Sequence, residues 1–261
     1  MHPILIHDEG PIRTITLNRP EHRNALTPRM QLDLIAALEA AAQSRSTRVL
    51  ILTGAGKAFC SGLDLESLRQ ATETQADNDL ELAGDAYRIS RILRTLYELP
   101  IPTIAAVNGH AIAGGTGLAT VCDFTLAVSA AKFGYTEIRV GFVPALVSAY
   151  LSLQLGDKRA RALLLTATLF DAAHAHSLGL VNEIVEPEHL HTRAQQLAES
   201  LATNSPAAIR ATKALLADQN RAWLDTATNL AIAANAAARQ TPDFREGIAA
   251  FLEKRAPNWS A

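Results

Sequence analysis

Short apolar runs that end at glycine-containing turns recur along the first half of the chain. Residues 49–52, 104–107 and 124–128 are mainly apolar and have the length of buried strands. Each is followed by a turn signal with glycine, and then by a segment that begins with helix-start features. This recurring strand–turn–helix order predicts an α/β fold wound from repeated units.

The two ends of the chain differ from this pattern. Residues 4–7 and 12–17 are two strand-like segments separated by Glu9-Gly10-Pro11, which predicts a β-hairpin. From about residue 158 onward the apolar positions follow a helical period, and residues 206–238 are rich in alanine. Between these ends, the polar stretch 66–84 predicts either a lid or an ordinary solvated helix.

Composition narrows the possible partners and the cellular location. The net charge is −2, charged residues make up 19% of the chain, and no long basic block occurs, so we expect neither nucleic acid nor a membrane surface as a partner. Cys60 and Cys122 lack metal-ligand spacing, so no metal site is expected. The first residues lack the features of a signal peptide, and no apolar run has the length of a membrane span. These features favour a cytoplasmic protein.

The central stretch, residues 105–123, carries the strongest chemical signal. Gly114 and Gly115 stand where a helix begins, and the first N–H groups of a helix have no partner within it. Such a terminus can hold an anion or stabilise a developing oxyanion. A close helix–strand contact that needs small residues is an equally good explanation of the glycines.

Five segments spread over nearly the whole chain resemble the crotonase (enoyl-CoA hydratase/isomerase) family. They are LNRPEHRNAL, GAGKAFCSGLDL, PTIAAVNGHAIAGGTGLATVCD, KFGYTEIRVGFVP and REGIAAFLEKRAP. The resemblance implies an α/β spiral of ββα units over residues 1–195, with the CoA and oxyanion sites, and a C-terminal helical trimerisation region over residues 196–261. It also implies a homotrimer or a dimer of trimers. Coenzyme A is then part of an acyl-CoA substrate, and no cofactor is bound.

The same resemblance assigns the reacting groups. The backbone N–H groups of Leu63 and Gly114 would form an oxyanion hole for a thioester enolate. One of the family's two catalytic glutamates matches Glu137, but Gly117 stands where the other is expected. This difference leaves hydration and isomerisation both open.

Three nearby polar residues are alternatives for the missing carboxylate, namely Asp64, His110 and Tyr135, although each is also explained as a structural polar group.

A narrower resemblance is to the methylglutaconyl-CoA and carboxygeranoyl-CoA hydratases, carried by TEIRVGFVPALVS, NSPAAIRATKALL and FLEKRAPNW. That branch also lacks the first glutamate. Arg139 could pair with a substrate carboxylate there, or form an ordinary surface ion pair.

The family pattern further implies six residues for binding coenzyme A, namely Arg23, Ala25, Ser61, Asp64, Phe251 and Lys254. Arg23 would meet the phosphates and the Ser61 backbone the adenine, while Phe251 and Lys254 would come from a neighbouring subunit. A core position for Phe251 and a solvated helix end for Lys254 explain those two residues equally well.

Three functions therefore remain open from the sequence. The first is addition of water to a conjugated enoyl thioester, which we favour. The second is movement of a double bond between the β,γ and α,β positions, using Glu137 as the proton carrier. The third is an acyl-CoA-binding protein without catalysis.

Overall fold

The computed structural model describes residues 2–73 and 79–259, with side chains throughout these ranges except at 71–73 and 79–83. The strands of the described residues are β1 (Ile4–Glu9), β2 (Ile12–Leu17), β3 (Val49–Gly54), β4 (Ala58–Cys60), β5 (Thr103–Val107), β6 (His110–Ile112), β7 (Phe124–Val128), β8 (Lys132–Gly134), β9 (Phe170–Asp171) and β10 (Glu183–Val185). The α-helices are α1 (Pro28–Gln43), α2 (Leu65–Glu73), α3 (Asp79–Glu98), α4 (Gly114–Val121), α5 (Ala145–Leu155), α6 (Asp157–Thr166), α7 (Ala172–Ser177), α8 (Leu190–Ala202), α9 (Pro206–Arg239) and α10 (Pro242–Leu252). Short 3-10 helices are formed by Pro20–His22, Glu137–Val140 and Pro187–His189.

The strands form two sheets, and successive segments of the chain contribute to both. One has the order β1-β2-β3-β5-β7-β10 and the other the order β4-β6-β8-β9. Strands β3, β5 and β7 of the first sheet are each followed by one strand of the second sheet, and then by helix. Neighbouring units are joined by parallel pairing in both sheets. The predicted α/β spiral of ββα units is therefore confirmed.

The apolar core fills the space between the six-stranded sheet and its helices. Helix α8 packs against β2, β3, β5 and β7, and α4 packs against β5 and β6. The runs that the sequence predicted as strands, 49–52 and 104–107, are buried along their whole length. Burial of both faces explains why they are continuously apolar rather than alternating.

One local prediction at the start of the chain is confirmed. Strands β1 and β2 pair antiparallel as a hairpin. Helix α1 begins at Pro28, and the Oγ1 atom of Thr27 accepts a hydrogen bond from the Met30 N–H at 3.3 Å. Strands β4, β6 and β8 were not predicted, because three residues are too few to show an alternating pattern.

The alanine-rich residues 206–238 lie in one helix, α9, of 34 residues. No glycine or proline interrupts this helix after Pro206. Helix α9 packs against α3 and α5. The separation of residues 1–195 from residues 196–261 stays a prediction, and α8 runs across that boundary.

Within the part of the chain that the structure describes, no helix is long and apolar enough to cross a membrane. Residues 66–84, predicted as a lid or a solvated helix, belong to α2 and α3 where they are described. Residues 74–78 lie outside the described residues, so the lid stays a prediction.

Candidate active site

Two turns, one after β4 and one after β6, meet at the end of the small sheet. Leu63 lies in the first turn, and Gly114 is the first residue of α4. Gly62 has φ +86°, and Ala113 has φ +53° with ψ −125°, a conformation that is costly for a residue with a side chain. A Cβ atom added to Gly62 would lie 3.3 Å from the Gly114 nitrogen, so the two turns are in contact.

Hydrogen bonds hold both turns in place. The Leu26 N–H donates to the Gly62 carbonyl at 2.8 Å, and the Asp64 N–H donates to the Leu26 carbonyl at 3.2 Å. The Ala113 N–H donates to the Gly134 carbonyl at 2.7 Å. The N–H groups of Leu63 and Gly114 themselves have no acceptor among the described residues. They are thus fixed donors without a partner, as an oxyanion hole requires.

Glu137 begins the short 3-10 helix Glu137–Val140 that follows β8. Part of this residue is accessible, but its Oε2 atom is buried and has no hydrogen-bond partner within the described residues. Burial raises the pKa of the carboxyl group from 4.5 to about 7. A carboxyl group with this pKa can accept and return a proton near neutral pH.

The three predicted reacting groups share one cavity of about 260 Å³, whose wall includes Leu63, Gly114 and Glu137. Much of the remaining wall is apolar and includes Leu68, Ile89, Phe142, Leu146, Val147 and Phe251. No cluster of three or more His, Cys, Asp or Glu side chains suited to a metal ion occurs among the described residues. The cavity therefore offers two backbone donors and one carboxyl group inside a largely apolar space.

Gly117, where a second glutamate was expected, lies at a contact between α4 and α5. A Cβ atom added to Gly117 would lie 2.4 Å from Cγ1 of Val147 and 3.9 Å from Cδ2 of Leu93. Val147 itself lines the cavity. The space that a side chain at position 117 would enter is thus occupied by Val147.

Three of the six residues implied for CoA lie in the cavity wall, namely Arg23, Ser61 and Phe251. Arg23 and Asn24 have φ +51° and +56°, and the buried Asn24 side chain donates to the Ala58 carbonyl at 2.8 Å. The Ser61 N–H donates to the Arg23 carbonyl at 3.1 Å. An adenine would therefore meet the carbonyl of Ser61 rather than its N–H.

Ala25 and Asp64 are not part of the cavity wall, and Arg19 connects them. The Arg19 guanidinium donates to the Ala25 carbonyl at 2.7 Å and to Oδ2 of Asp64 at 3.2 Å. The other oxygen of Asp64 accepts from the Ser67 N–H at 2.9 Å and caps α2. These hydrogen bonds outweigh partial burial and hold the pKa of Asp64 below its ordinary value. They give Asp64 a structural role.

Phe251 lines the cavity of its own chain, and its supply by a neighbouring subunit stays a prediction. Helix α10 packs against the 3-10 helix Glu137–Val140 and against α2. The contact is close because a Cβ atom added to Gly247 would lie 2.3 Å from the Val140 carbonyl carbon. Lys254 follows the end of α10 with φ +57°, and it is exposed outside the cavity wall.

Of the three alternatives for the missing carboxylate, only His110 lies in the cavity wall. Its Nδ1 atom accepts from the Lys132 N–H at 3.2 Å, so a neutral ring carries its proton on Nε2. Tyr135 is fully buried 3.5 Å from the Thr120 hydroxyl, and burial raises its pKa. Arg139 is exposed and does not line the cavity.

Asn235, on α9, is a polar residue of the wall that the sequence reasoning missed. It lies on the buried face of α9 together with Leu224, Ala231 and Arg239, at spacings of seven, four and four residues. The helical spacing of Asn235 from the apolar Leu224 and Ala231 was a usable signal. The alanine-rich composition of the helix obscured it.

Comparisons with known proteins cover nearly the whole chain. A model of the enoyl-CoA hydratase/isomerase family matches residues 7–261. A relative from Thermus thermophilus, assigned as an enoyl-CoA hydratase, is 43% identical over 252 residues, which cover 97% of this chain and 98% of the relative. The 1,2-epoxyphenylacetyl-CoA isomerase of Escherichia coli K12 is 34% identical over 261 residues, covering 100% of this chain and 99% of that protein.

Comparison with solved structures points to the same family. The crystal structure of an enoyl-CoA hydratase/isomerase from Xanthobacter autotrophicus Py2 matches with a TM-score of 0.88 and 29% identity, covering 100% of this chain and 99% of the other. The relatives include both hydratases and an isomerase. They therefore leave the choice between the two reactions open.

Proposed function

Since the chain belongs to the enoyl-CoA hydratase/isomerase family, we propose that it adds water to a 2-enoyl-CoA thioester, or removes water in the reverse direction. One observation carries this proposal. The Oε2 atom of Glu137, which is buried and has no partner among the described residues, shares a cavity with Leu63 and Gly114, whose N–H groups have no acceptor there either.

In the proposed reaction the two N–H groups donate to the thioester oxygen. The Glu137 carboxylate takes a proton from water while the water oxygen bonds to C3, and the C2–C3 π electrons move so that negative charge reaches the thioester oxygen. Two fixed donors stabilise this enolate because they need no reorganisation when the charge develops. The enolate then takes the proton from Glu137 at C2, and the carboxylate is regenerated.

Coenzyme A is a part of the substrate in this proposal, and no resident cofactor is needed. Arg23 is suited to the phosphates because its guanidinium is always charged. The carbonyl of Ser61 would accept from the adenine amine, and Phe251, 58% exposed, would cover the nucleotide or the pantetheine arm. Ala25 and Asp64 would support Arg23 and the Leu63 turn from behind, and Lys254 would meet phosphate from outside the cavity.

Isomerisation is the second candidate, because Glu137 is the only carboxylate in the described cavity wall. One carboxylate suffices to remove a proton from C2 of a 3-enoyl thioester, which gives a dienolate, and to return the proton at C4, so that the double bond moves to C2–C3. In hydration the same group must also hold water, which family hydratases share between two glutamates. A third outcome, acyl-CoA binding without turnover, follows if one carboxylate is too few for either reaction.

Turnover of crotonyl-CoA and of a 3-enoyl-CoA, measured beside CoA-thioester binding, tests the three functions. We expect hydration of crotonyl-CoA that exceeds isomerisation of the 3-enoyl thioester. The reverse ranking would establish the isomerase, and binding without either reaction would establish the non-catalytic protein.

We also propose that the chain assembles as a homotrimer or a dimer of trimers. Helix α9 exposes four large apolar side chains, Leu215, Leu216, Trp223 and Leu230. Light scattering should give a particle several times the 28.0 kDa of the chain. A monomer at micromolar concentration would exclude the assembly and the supply of Phe251 by a neighbouring subunit, but Phe251 would still line the cavity of its own chain.

A further inference from the structure

A hydrogen-bond donor is built into the α9 side of the cavity. Asn235 is 3% exposed and lines the cavity, and its Oδ1 atom accepts from Nε of Arg239 at 3.1 Å. Because Nε of an arginine can only donate, this bond fixes which end of the Asn235 amide faces Arg239. The Nδ2 group has no acceptor among the described residues. The amide therefore offers two N–H donors in an otherwise apolar part of the wall.

Arg239 lies directly behind this wall. It is 2% exposed, and the guanidinium carbon lies 5.6 Å from the ring centre of Phe142, another residue of the wall. The Nη1 atom lies 3.6 Å from the Asp85 carboxylate. The Nη2 atom is buried without a partner in the described residues. A buried guanidinium nitrogen without an acceptor carries a desolvation cost.

The described side chains around Arg239 do not balance in charge. Asp85, its acidic partner, also pairs with Arg88. The Arg88 Nε atom donates further to Oε1 of Gln31, which is a neutral acceptor at 2.8 Å. Among the side chains that the structure describes, one carboxylate thus faces two guanidinium groups, which leaves an excess positive charge behind the wall. An anion bound in the cavity would be attracted by this charge.

We propose that the acyl group bound in this cavity carries a carboxylate, which accepts hydrogen bonds from Nδ2 of Asn235. Arg239 is a positioning residue, since it holds the amide orientation and supplies the excess charge. This inference rests on the proposed function only in that it takes the cavity as the acyl site. It makes Asn235 the residue that distinguishes a carboxylate-bearing acyl group from a plain hydrocarbon.

Equilibrium binding of two saturated, unreactive thioesters tests the inference without any turnover. Glutaryl-CoA and pentanoyl-CoA have five-carbon acyl groups that end in a carboxylate and a methyl group respectively. Calorimetry on the full chain should show glutaryl-CoA binding roughly 10- to 100-fold more tightly, as expected for a hydrogen bond to a charged group. Equal affinities, or a preference for pentanoyl-CoA, would overturn the inference.

Two substitutions then locate the preference. Asn235→Leu should remove the preference for glutaryl-CoA while keeping the affinity for pentanoyl-CoA. Arg239→Met should weaken this preference, and Asp85 keeps Arg88 as a partner in that variant. Asn229→Leu makes the same exchange at an exposed position of α9 and should leave the preference unchanged. Thermal melting checks that each variant is folded. If Asn235→Leu does not fold, Asn235→Ser replaces it and should weaken the preference for glutaryl-CoA.

The outcomes separate the two proposals. A carboxylate preference that survives in folded Asn235→Leu would refute the assignment. If the preference depends on Asn235 but the wild-type protein turns over neither of these enoyl thioesters nor glutaconyl-CoA, a 2-enoyl thioester whose acyl group ends in a carboxylate, the inference holds and the proposed catalytic function fails. If turnover occurs without any carboxylate preference, the proposed catalytic function holds and the inference about the carboxylate fails.

Discussion

The cavity has two walls of different construction. The wall built from the turns before α2 and α4 presents the backbone N–H groups of Leu63 and Gly114. The wall built from α9 and α10 presents side chains, with Asn235 and Phe251 as its distinctive members. In the proposed function the first wall acts through its backbone geometry, so the identity of the side chain at position 63 should matter little. In the second wall the side chains themselves decide what fits.

This difference assigns separate tasks to the two walls. Substitutions in the turn wall should change the rate for every acyl group alike, since the thioester oxygen is common to all of them. Substitutions in the helical wall should change which acyl group is preferred, with little effect on the shared chemistry. Each of the following experiments tests one side of that division.

Glu137→Gln should have the largest effect, because it removes the proton carrier that both candidate reactions need. We expect proton exchange at C2 to fall by roughly 100- to 10,000-fold. Solvent-deuterium incorporation at C2 measures this exchange, and a CoA-thioester titration should show that binding is retained. Exchange at the wild-type rate would transfer the role to another group, with His110 the first to examine.

Gly114→Pro should lower turnover by about 100- to 1000-fold, since it deletes one donor of the proposed oxyanion hole. Gly114→Ala is the matched control. It keeps the N–H, and its Cβ would meet only the Gly62 Cα atom at 3.8 Å, an ordinary contact. Similar turnover in folded proline and alanine variants would show that the Gly114 N–H does not contact the reacting oxygen.

Burial of Glu137 also makes stability depend on pH. Its pKa rises from 4.5 to about 7 on folding, so the protonated form is favoured in the folded state. The stabilisation from the protonated carboxyl group is complete below the unfolded-state pKa of 4.5, and it is lost as the pH rises through the folded-state pKa of about 7. Glu137→Gln should therefore raise the free energy of unfolding on the order of 3 kcal/mol at about pH 8 and little at about pH 4. Denaturant unfolding of both proteins at the two pH values measures the difference, and a pH-independent gap would contradict it.

Gly117→Ala should destabilise the protein by about 1–3 kcal/mol, because its Cβ overlaps Val147. Gly117→Glu alone is accordingly expected to lose stability rather than to gain hydration activity. The double variant Gly117→Ala/Val147→Ala should recover part of the loss, since the second change frees the contested space. Thermal melting of the single and double variants measures this recovery. If Val147→Ala does not reduce the stability lost in Gly117→Ala, the contact with Val147 is not the cause of that loss.

The sequence predicted the turn wall better than the helical wall, for a physical reason. Backbone donors need glycine at or beside fixed positions, so Gly62 and Gly114 leave a visible motif. Asn235 leaves only a weak signal, because its spacing from Leu224 and Ala231 is obscured by the many alanines of the helix, and only packing reveals that this asparagine is buried. The contact of Gly117 with Val147 joins positions thirty residues apart, which no local pattern predicts.

The position of Phe251 in the cavity wall of its own chain has the same explanation. The pattern in REGIAAFLEKRAP identifies the helix but not the surface against which it packs. That surface depends on the approach of Gly247 to Val140, which is a property of tertiary structure. The ββα repeat, in contrast, follows from apolar runs and glycine turns that are close in sequence.

The length of α9 gives the molecule a mechanical link. A helix of 34 residues is about 50 Å long, and it carries the exposed Leu215 toward one end and Asn235 close to the other. Its ladder of backbone hydrogen bonds makes it one stiff rod. A sliding movement of α9 by one ångström at its outer surface would move Asn235 along the cavity by the same distance. Any protein surface that binds the outer part of α9 would therefore help to set the position of the Asn235 amide in the cavity wall.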